Sequence, residues 1–97
     1  MKVMISQPMK GKTEEQIRTE RENLVKELES KGYEVVDTIF TEEAPKTSNE
    51  ALYYLSKSIE VMSKVDAVVF MPGWDDARGC IIEHTMAKAY GLFVKEI

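Results

Sequence analysis

The feature that most constrains the fold is a strand–loop–helix pattern within Asp66–Tyr90. Its first part, Ala67–Met71, contains only apolar residues, which is typical of a strand covered on both faces in a parallel sheet. A polar loop with two glycines follows, and then a helical pattern from about Cys80 to Tyr90. Because a strand buried on both faces needs a layer on each side, this unit predicts a layered α/β structure.

The predicted helix carries a carboxylate on its inner face. Helical spacing places five residues on one stripe that should face the sheet: Gly79, Glu83, Met86, Ala87 and Tyr90. Glu83 then lies in the first turn and points toward the carboxyl end of the strand, where ligands bind in open α/β sheets. The alternative is a carboxylate that stabilises the helix dipole and pairs with Arg78.

Strands and helices alternate along the rest of the chain. A helix is predicted from Thr13, where Gln16 completes a capping box, to the basic turn before Gly32. A second helix starts near Ser48 or Asn49, after a polar loop at Thr41–Ser48. The remaining strands are predicted at Lys2–Ser6, Tyr33–Phe40 and Leu92–Glu96.

This alternation predicts the α/β class: a single Rossmann-like, three-layer domain over residues 1–97. Its parallel sheet should have four to five strands in the flavodoxin-like order 2-1-3-4. The chain directions diverge between strands 1 and 3, so a crevice should lie between the loops that follow them. Those loops are Ser6–Gly11 and Pro72–Gly79.

Composition excludes several classes of protein. The formal net charge of −4 argues against a nucleic-acid or anionic-membrane binder. No apolar run approaches the roughly 20 residues that span a bilayer, and the first residues do not resemble a signal peptide. A single cysteine excludes an internal disulfide and suits a reducing cytoplasm. We therefore expect a cytoplasmic protein without nucleic-acid or membrane partners.

Two motifs, ISQPMKG near the N-terminus and MPGWDDARGCIIEHTMAKAYG later, resemble the nucleoside 2-deoxyribosyltransferase superfamily, especially its short bacterial and phage members. The resemblance implies a domain that handles nucleosides or nucleotides, in which Glu83 attacks C1′ of the sugar. Asp75 or Asp76 would stand where relatives place an acid that assists the leaving base. The chain departs from the pattern at Met4 and Ile5, where active relatives often have a tyrosine, and at His84, where they have a small residue.

The loop residues allow a functional and an ordinary interpretation. Asp75 and Asp76 could protonate a departing base or simply form a turn. Arg78 and the amide groups at Gly79 could bind phosphate, or Arg78 could pair with Asp75. Trp74 could stack on a base or cover the pocket or a subunit contact. The remaining predicted substrate-binding residues are Ser6, Gln7, Pro8, Met9, Lys10, Gly11 and Gly73.

Three functions remain open. Cleavage of an N-glycosidic bond builds positive charge on the sugar, which a buried Glu83 carboxylate could stabilise or trap. The alternatives are a catalytically silent nucleotide-binding or sensor module and a small oligomeric scaffold. No metal site or cofactor is predicted, because Cys80 and His84 lack a third ligand at metal spacing. A homo-oligomer is expected from the apolar second helix.

Overall fold

The computed structural model describes residues 1–38, 43–46 and 49–97. The strands are β1 (Lys2–Ser6), β2 (Glu34–Val36), β3 (Ala67–Phe70) and β4 (Phe93–Glu96). The helices are α1 (Glu14–Ser30), α2 (Glu50–Met62) and α3 (Arg78–Ala89), with a 3₁₀ turn at Trp74–Asp76. All strand pairs are parallel and the sheet order is β2-β1-β3-β4, which confirms the predicted fold class and strand order.

Two apolar clusters lie on opposite faces of the sheet. The α1 side chains Leu24 and Leu28 pack with Val3 and Ile5 of β1 on one face. On the other face, Met62 of α2 and Ala87 of α3 pack with Phe70 of β3. The chain therefore leaves β1 toward one face and β3 toward the other, and the crevice between these two strands lies where their directions diverge.

Local sequence signals explain the ends of α1 and the start of α2. Thr13 accepts a hydrogen bond from the Gln16 amide, and the Gln16 side chain accepts one from the Thr13 amide, so the predicted capping box is present. Gly32, with a φ of 88°, follows the end of α1 in the left-handed conformation that favours glycine. The side chain of Asn49 caps α2 by accepting a hydrogen bond from Leu52.

The second strand is shorter than the predicted Tyr33–Phe40. Its pairing with β1 ends at Val36, opposite Met4. Beyond this point the Thr38 hydroxyl, rather than a strand amide, donates a hydrogen bond to the Ile5 carbonyl. The predictions for Ile39 and Phe40, for a helix start at Ser48 and for part of the loop Thr41–Ser48 lie outside the described residues.

The helix after the polar loop begins earlier than predicted, at Arg78 rather than Cys80, so Glu83 lies in its second turn. Tyr90 is 82% exposed, and its placement on the inner stripe was wrong. The helix ends at Ala89, and the backbone at Tyr90 has left the helical conformation, which turns this side chain away from the sheet. No helix in the described ranges is long and apolar enough to cross a membrane.

Candidate functional site

Glu83 is a buried carboxyl group at the carboxyl end of the two central strands. Its side chain is on the inner face of α3, and the residue is 8% exposed. None of the described residues forms a hydrogen bond or an ion pair with it. Loss of solvent outweighs the attraction of Arg21 and the polarity of Ser6, and raises the pKa of Glu83 to about 7. Both protonation states are therefore accessible near neutral pH.

Ser6, the last residue of β1, lies beside Glu83 and Cys80. Ser6 is 2% exposed, and its Oγ is a buried polar atom without a hydrogen-bond partner in the part of the chain that the structure describes. The hydroxyl is close enough to lower the pKa of both neighbours, although neither contact has the full geometry of a hydrogen bond. Burial has the larger effect on Cys80 and raises the pKa of its thiol.

Arg21 of α1 is a buried cation at the same end of the sheet that the sequence interpretation did not assign to the site. It is 5% exposed and donates hydrogen bonds to Gln7 Oε1 (3.3 Å) and Thr38 Oγ1 (2.5 Å). Asp37 lies 3.7 Å from its guanidinium. One feature of the sequence indicated that Arg21 is buried. It lies on the helical stripe whose other residues, such as Ile17 and Leu28, are apolar.

Burial lowers the pKa of the Arg21 guanidinium, and the attraction of Asp37, followed by that of Glu83, opposes this effect without cancelling it. Arginine nevertheless stays protonated in proteins. A permanent positive charge thus lies buried on the α1 side of the carboxyl end of β1, with Glu83 on the other side.

The loop after β1 divides into an inner and an outer part. Gln7 and Pro8 are buried, and Gln7 Nε2 donates a hydrogen bond to the Ile17 carbonyl at 2.9 Å. Three further residues of this loop are exposed: Met9, Lys10 and Gly11. Gln7 therefore ties the loop to α1, and only the outer residues lie open to a ligand.

The loop after β3 approaches the loop after β1. A Cβ atom placed on Gly73 would lie 3.6 Å from Pro8 Cγ, and Gly73 has a φ of 90°. The glycine thus allows the turn that leads into the 3₁₀ segment beside Pro8. The two loops therefore lie side by side at Gly73 and Pro8, as the strand order predicted.

Trp74 stacks on His84. Their ring centroids are 4.0 Å apart and the planes differ by 11°. His84 Nε2 lies 2.6 Å from Glu96 Oε1 of β4. Phe70 makes an edge contact with His84 and a tilted contact with Trp74. One indole face is therefore covered by His84 within the protein, and Trp74 as a whole is partly buried.

The other loop residues predicted for the site are more open. Asp75, Asp76 and Arg78 are exposed, and Gly79 is partly buried in the first turn of α3. No ion pair joins Arg78 to Asp75 or to Glu83. The N-cap position of α3 is Ala77, which has no side chain able to bond the first helical amides.

The described residues of this site include no metal cluster, and a groove of the chain lies elsewhere. Among the residues described, no group of three or more His, Cys, Asp or Glu side chains could hold a metal ion. A groove of about 510 Å³ lies between α1 and β2, and its lining includes Arg18, Arg21, Lys26 and Asp37. It contains none of the residues that the sequence predicted for the site. The buried carboxyl therefore identifies the candidate site better than groove volume does.

Fold and site together define an α/β domain with a parallel four-stranded sheet and a buried carboxyl at the divergence of its two central strands. The chain belongs to the family described as Domain of unknown function (DUF4406), whose pattern matches residues 1–96. Neither a curated protein nor a solved structure matches it.

Proposed function

We propose that this protein acts on a nucleoside or nucleotide, by hydrolysis of the N-glycosidic bond or by deoxyribosyl transfer, with Glu83 acting at C1′ of the sugar. The observation that carries the proposal is a buried carboxyl group without a hydrogen-bond partner among the described residues, at the carboxyl end of the central strands. Burial of such a group is costly, so a purely structural glutamate would be expected to have a partner.

The chemistry requires the ionised form of Glu83. As the bond from C1′ to the base nitrogen breaks, its electrons move to the base and positive charge builds on the sugar. The carboxylate stabilises that charge or bonds to C1′, and water or a second base then displaces it. The departing base gains a proton from Asp75, Asp76 or solvent. With a pKa of about 7, a usable fraction of Glu83 is ionised near neutral pH.

The surrounding residues fit a nucleotide with a ring on one side and a phosphate on the other. Trp74, which is partly buried at the start of the 3₁₀ turn, could stack on a base. The amides at the start of α3 have no side-chain cap, and Arg78 is exposed beside them, so they could bind a phosphate. Lys10 and Gly11 extend this surface from the loop after β1. Stacking and phosphate binding both belong to this proposal.

A silent nucleotide-binding or sensor module is the second candidate. It is favoured by Met4 and Ile5, which are fully buried apolar residues where active relatives of the resembled superfamily often have a tyrosine. Without a tyrosine hydroxyl at that place, the Glu83 carboxylate has fewer hydrogen-bond donors that could hold it in a fixed orientation. A protein of this kind would bind the ligand and leave the glycosidic bond intact.

Base release from a panel of nucleosides and nucleotides separates the candidates. Wild-type protein should release free base, and Glu83→Gln should lower the rate by roughly a hundred- to a thousand-fold, because one preorganised charge is lost. Glu15→Gln, at an exposed position of α1, is the matched control and should keep the wild-type rate.

Activity that survives Glu83→Gln would remove Glu83 from the mechanism. A nucleotide that raises the melting temperature of the wild type without release of base would support the silent module. Absence of both effects would favour the oligomeric scaffold.

We also propose that the protein is a cytoplasmic homo-oligomer, most simply a two-fold dimer. Only Met62 is buried among the residues of α2, and Leu52 on the same helix is 59% exposed. A second copy packed on this helix would remove the apolar surface from water. The single buried cysteine is compatible with a reducing compartment.

A further inference from the structure

We propose that His84 is a positioning residue for Trp74, that Glu96 holds His84 in turn, and that the indole placed in this way contacts the base of the ligand. The last step rests on the proposed function, because only a nucleoside or nucleotide would bring a base to this place. The first two steps concern the protein alone and depend on the contacts between these three side chains.

The backbone of Trp74 is held on both sides. Its amide donates a hydrogen bond to the Met71 carbonyl at 3.1 Å, and its carbonyl accepts one from the Ala77 amide at 3.2 Å. The residue before it, Gly73, lies beside Pro8 of the loop after β1. Trp74 therefore starts from a fixed point next to the place where the two loops meet, and only its side-chain torsion angles remain to be set.

The stack on His84 sets those torsion angles. The imidazole and indole planes differ by 11° with centroids 4.0 Å apart, whereas Phe70 contacts the indole at 57° and 5.6 Å. A tilted ring touches the indole over a small area, while a parallel ring covers its face and so defines its plane. His84 is therefore the neighbour that fixes the orientation of Trp74.

Glu96 fixes the imidazole. An unbonded histidine side chain could adopt other rotamers, but Glu96 Oε1 lies 2.6 Å from His84 Nε2, a short distance that is typical of a bond to a charged acceptor. A carboxylate only accepts, so the hydrogen is assigned to Nε2. The bond joins α3 to β4 and ties the ring that stacks on Trp74 to the edge of the sheet.

This pair contributes orientation more than stability. The His84 side chain is 12% exposed and that of Glu96 is 47% exposed, so solvent screens much of the attraction between them. Removal of the Glu96 carboxylate is therefore a mild change for the fold. An effect of this removal on the motion of the indole would pass through His84.

Part of the indole stays available to a ligand. Trp74 is only partly buried, and no described residue accepts a hydrogen bond from its N–H. The indole nitrogen is also not among the described polar atoms that are buried without a partner, so its N–H edge reaches solvent. An indole with a fixed plane and an open polar edge can contact a base and donate a hydrogen bond to it.

The first measurement needs no ligand. Trp74 is the only tryptophan of the chain, so time-resolved fluorescence anisotropy reports the local motion of its indole alone. The wild type should show a rigid indole, and both His84→Ala and Glu96→Ala should add a fast local component. Glu96→Gln keeps an acceptor for Nε2 and should stay close to the wild type. Glu34→Ala, which removes an exposed acid from the other edge strand, is the matched control and should not change the anisotropy.

The second measurement compares ligands with and without a base. Calorimetric titrations use the common deoxynucleoside 5′-monophosphates and, as the ligand without a base, 2-deoxyribose 5-phosphate. Trp74→Leu should weaken the binding of a nucleotide by about ten-fold, which is within the range of one base–aromatic stack. Glu96→Ala should weaken it by a smaller factor. Both variants should leave the affinity for the sugar phosphate unchanged.

An indole that stays equally rigid in folded Glu96→Ala overturns the positioning roles, whether or not His84→Ala folds. A nucleotide affinity that is unchanged in folded Trp74→Leu, or that falls together with the affinity for the sugar phosphate, overturns the base contact. A role in folding alone would give that second result, with a lower melting temperature.

These outcomes are separable from those of the proposed function. Binding of a nucleotide without release of base would leave the roles of His84, Glu96 and Trp74 standing and reject the enzyme. A wild type that binds none of the nucleotides would reject the base contact together with the proposed function, and the anisotropy would still decide whether His84 and Glu96 position the indole.

Discussion

Glu83 makes the stability of the folded protein depend on pH. The folded chain keeps a proton on this carboxyl up to a pH of about 7, whereas an unfolded chain releases it near the ordinary pKa of 4.5. Folding therefore favours the protonated form between these values, and the free energy of unfolding falls as pH rises through that window. The expected loss from Glu83 is about 3 kcal/mol by pH 8.

Glu83→Gln should abolish this part of the pH dependence, because the amide does not titrate. The measurement is urea unfolding of both proteins at a series of pH values from acid to mildly basic, compared as the difference in unfolding free energy. Glu15→Gln should follow the wild-type curve. Parallel curves for the wild type and Glu83→Gln would show that Glu83 is solvated or compensated in solution and would contradict the burial described above.

The same residue explains why the site cannot be assigned from the loop alone. Asp75 and Asp76 supply acidic groups but are exposed in a short 3₁₀ turn, where the solvent compensates their charge. Glu83 is largely removed from solvent at 8% exposure, and the groups that act on it include the Arg21 guanidinium and the Ser6 hydroxyl. Burial therefore distinguishes Glu83 from the two aspartates and makes it the stronger candidate for a functional carboxyl.

At the scale of single elements, α1 depends on its capping box. Thr13→Ala removes the hydroxyl that accepts from the Gln16 amide and should lower the free energy of unfolding by about 1 kcal/mol. Thr19→Ala, at an exposed position inside the same helix, should instead be neutral or slightly stabilising, because alanine is the better helix former. Thermal or urea unfolding of the two variants measures both effects.

Equal effects of the two substitutions would show that the cap contributes nothing beyond helix propensity. Both Ile17 and Arg21 of α1 form hydrogen bonds with Gln7. Fraying of the first turns of α1 should therefore also loosen Gln7. The element that covers one face of the sheet thus also holds the loop after β1.

At the scale of the whole molecule, the apolar surface of α2 predicts association. We expect sedimentation at tens of micromolar to give twice the monomer mass of 11.1 kDa. Leu52→Glu places a charge on the exposed apolar position of α2 and should shift the protein to monomer without loss of folding. Thr19→Glu, a charge added on exposed α1, is the control and should leave the mass unchanged.

A wild-type species of 11.1 kDa at that concentration would contradict the dimer. A dimer that persists in Leu52→Glu would place the contact elsewhere. Tyr90 and Phe93, which are 82% and 67% exposed, lie on other parts of the surface and would be the next positions to change.

The sequence by itself determined the strand order, the course of α1 and the inward position of Glu83. The strand order follows from the alternation of strands and helices along the chain. The other two follow from short-range patterns, a capping box with a terminal glycine and a helical stripe. Such signals concern residues a few positions apart, where the backbone geometry is fixed by the element itself. The predicted inner stripe of α3 was wrong at Tyr90, because the helix ends one residue earlier, at Ala89.

Only the tertiary structure decided what surrounds Glu83. Ser6, Arg21 and Glu83 come from β1, α1 and α3, and no periodicity relates residues so far apart in the chain. The sequence marked Arg21 only as a charge on an apolar stripe, and it took the packing of α1 on the sheet to direct that charge to Gln7 and Thr38. Burial, and with it the raised pKa of Glu83, depends on which elements close over a side chain, and that is set by long-range packing.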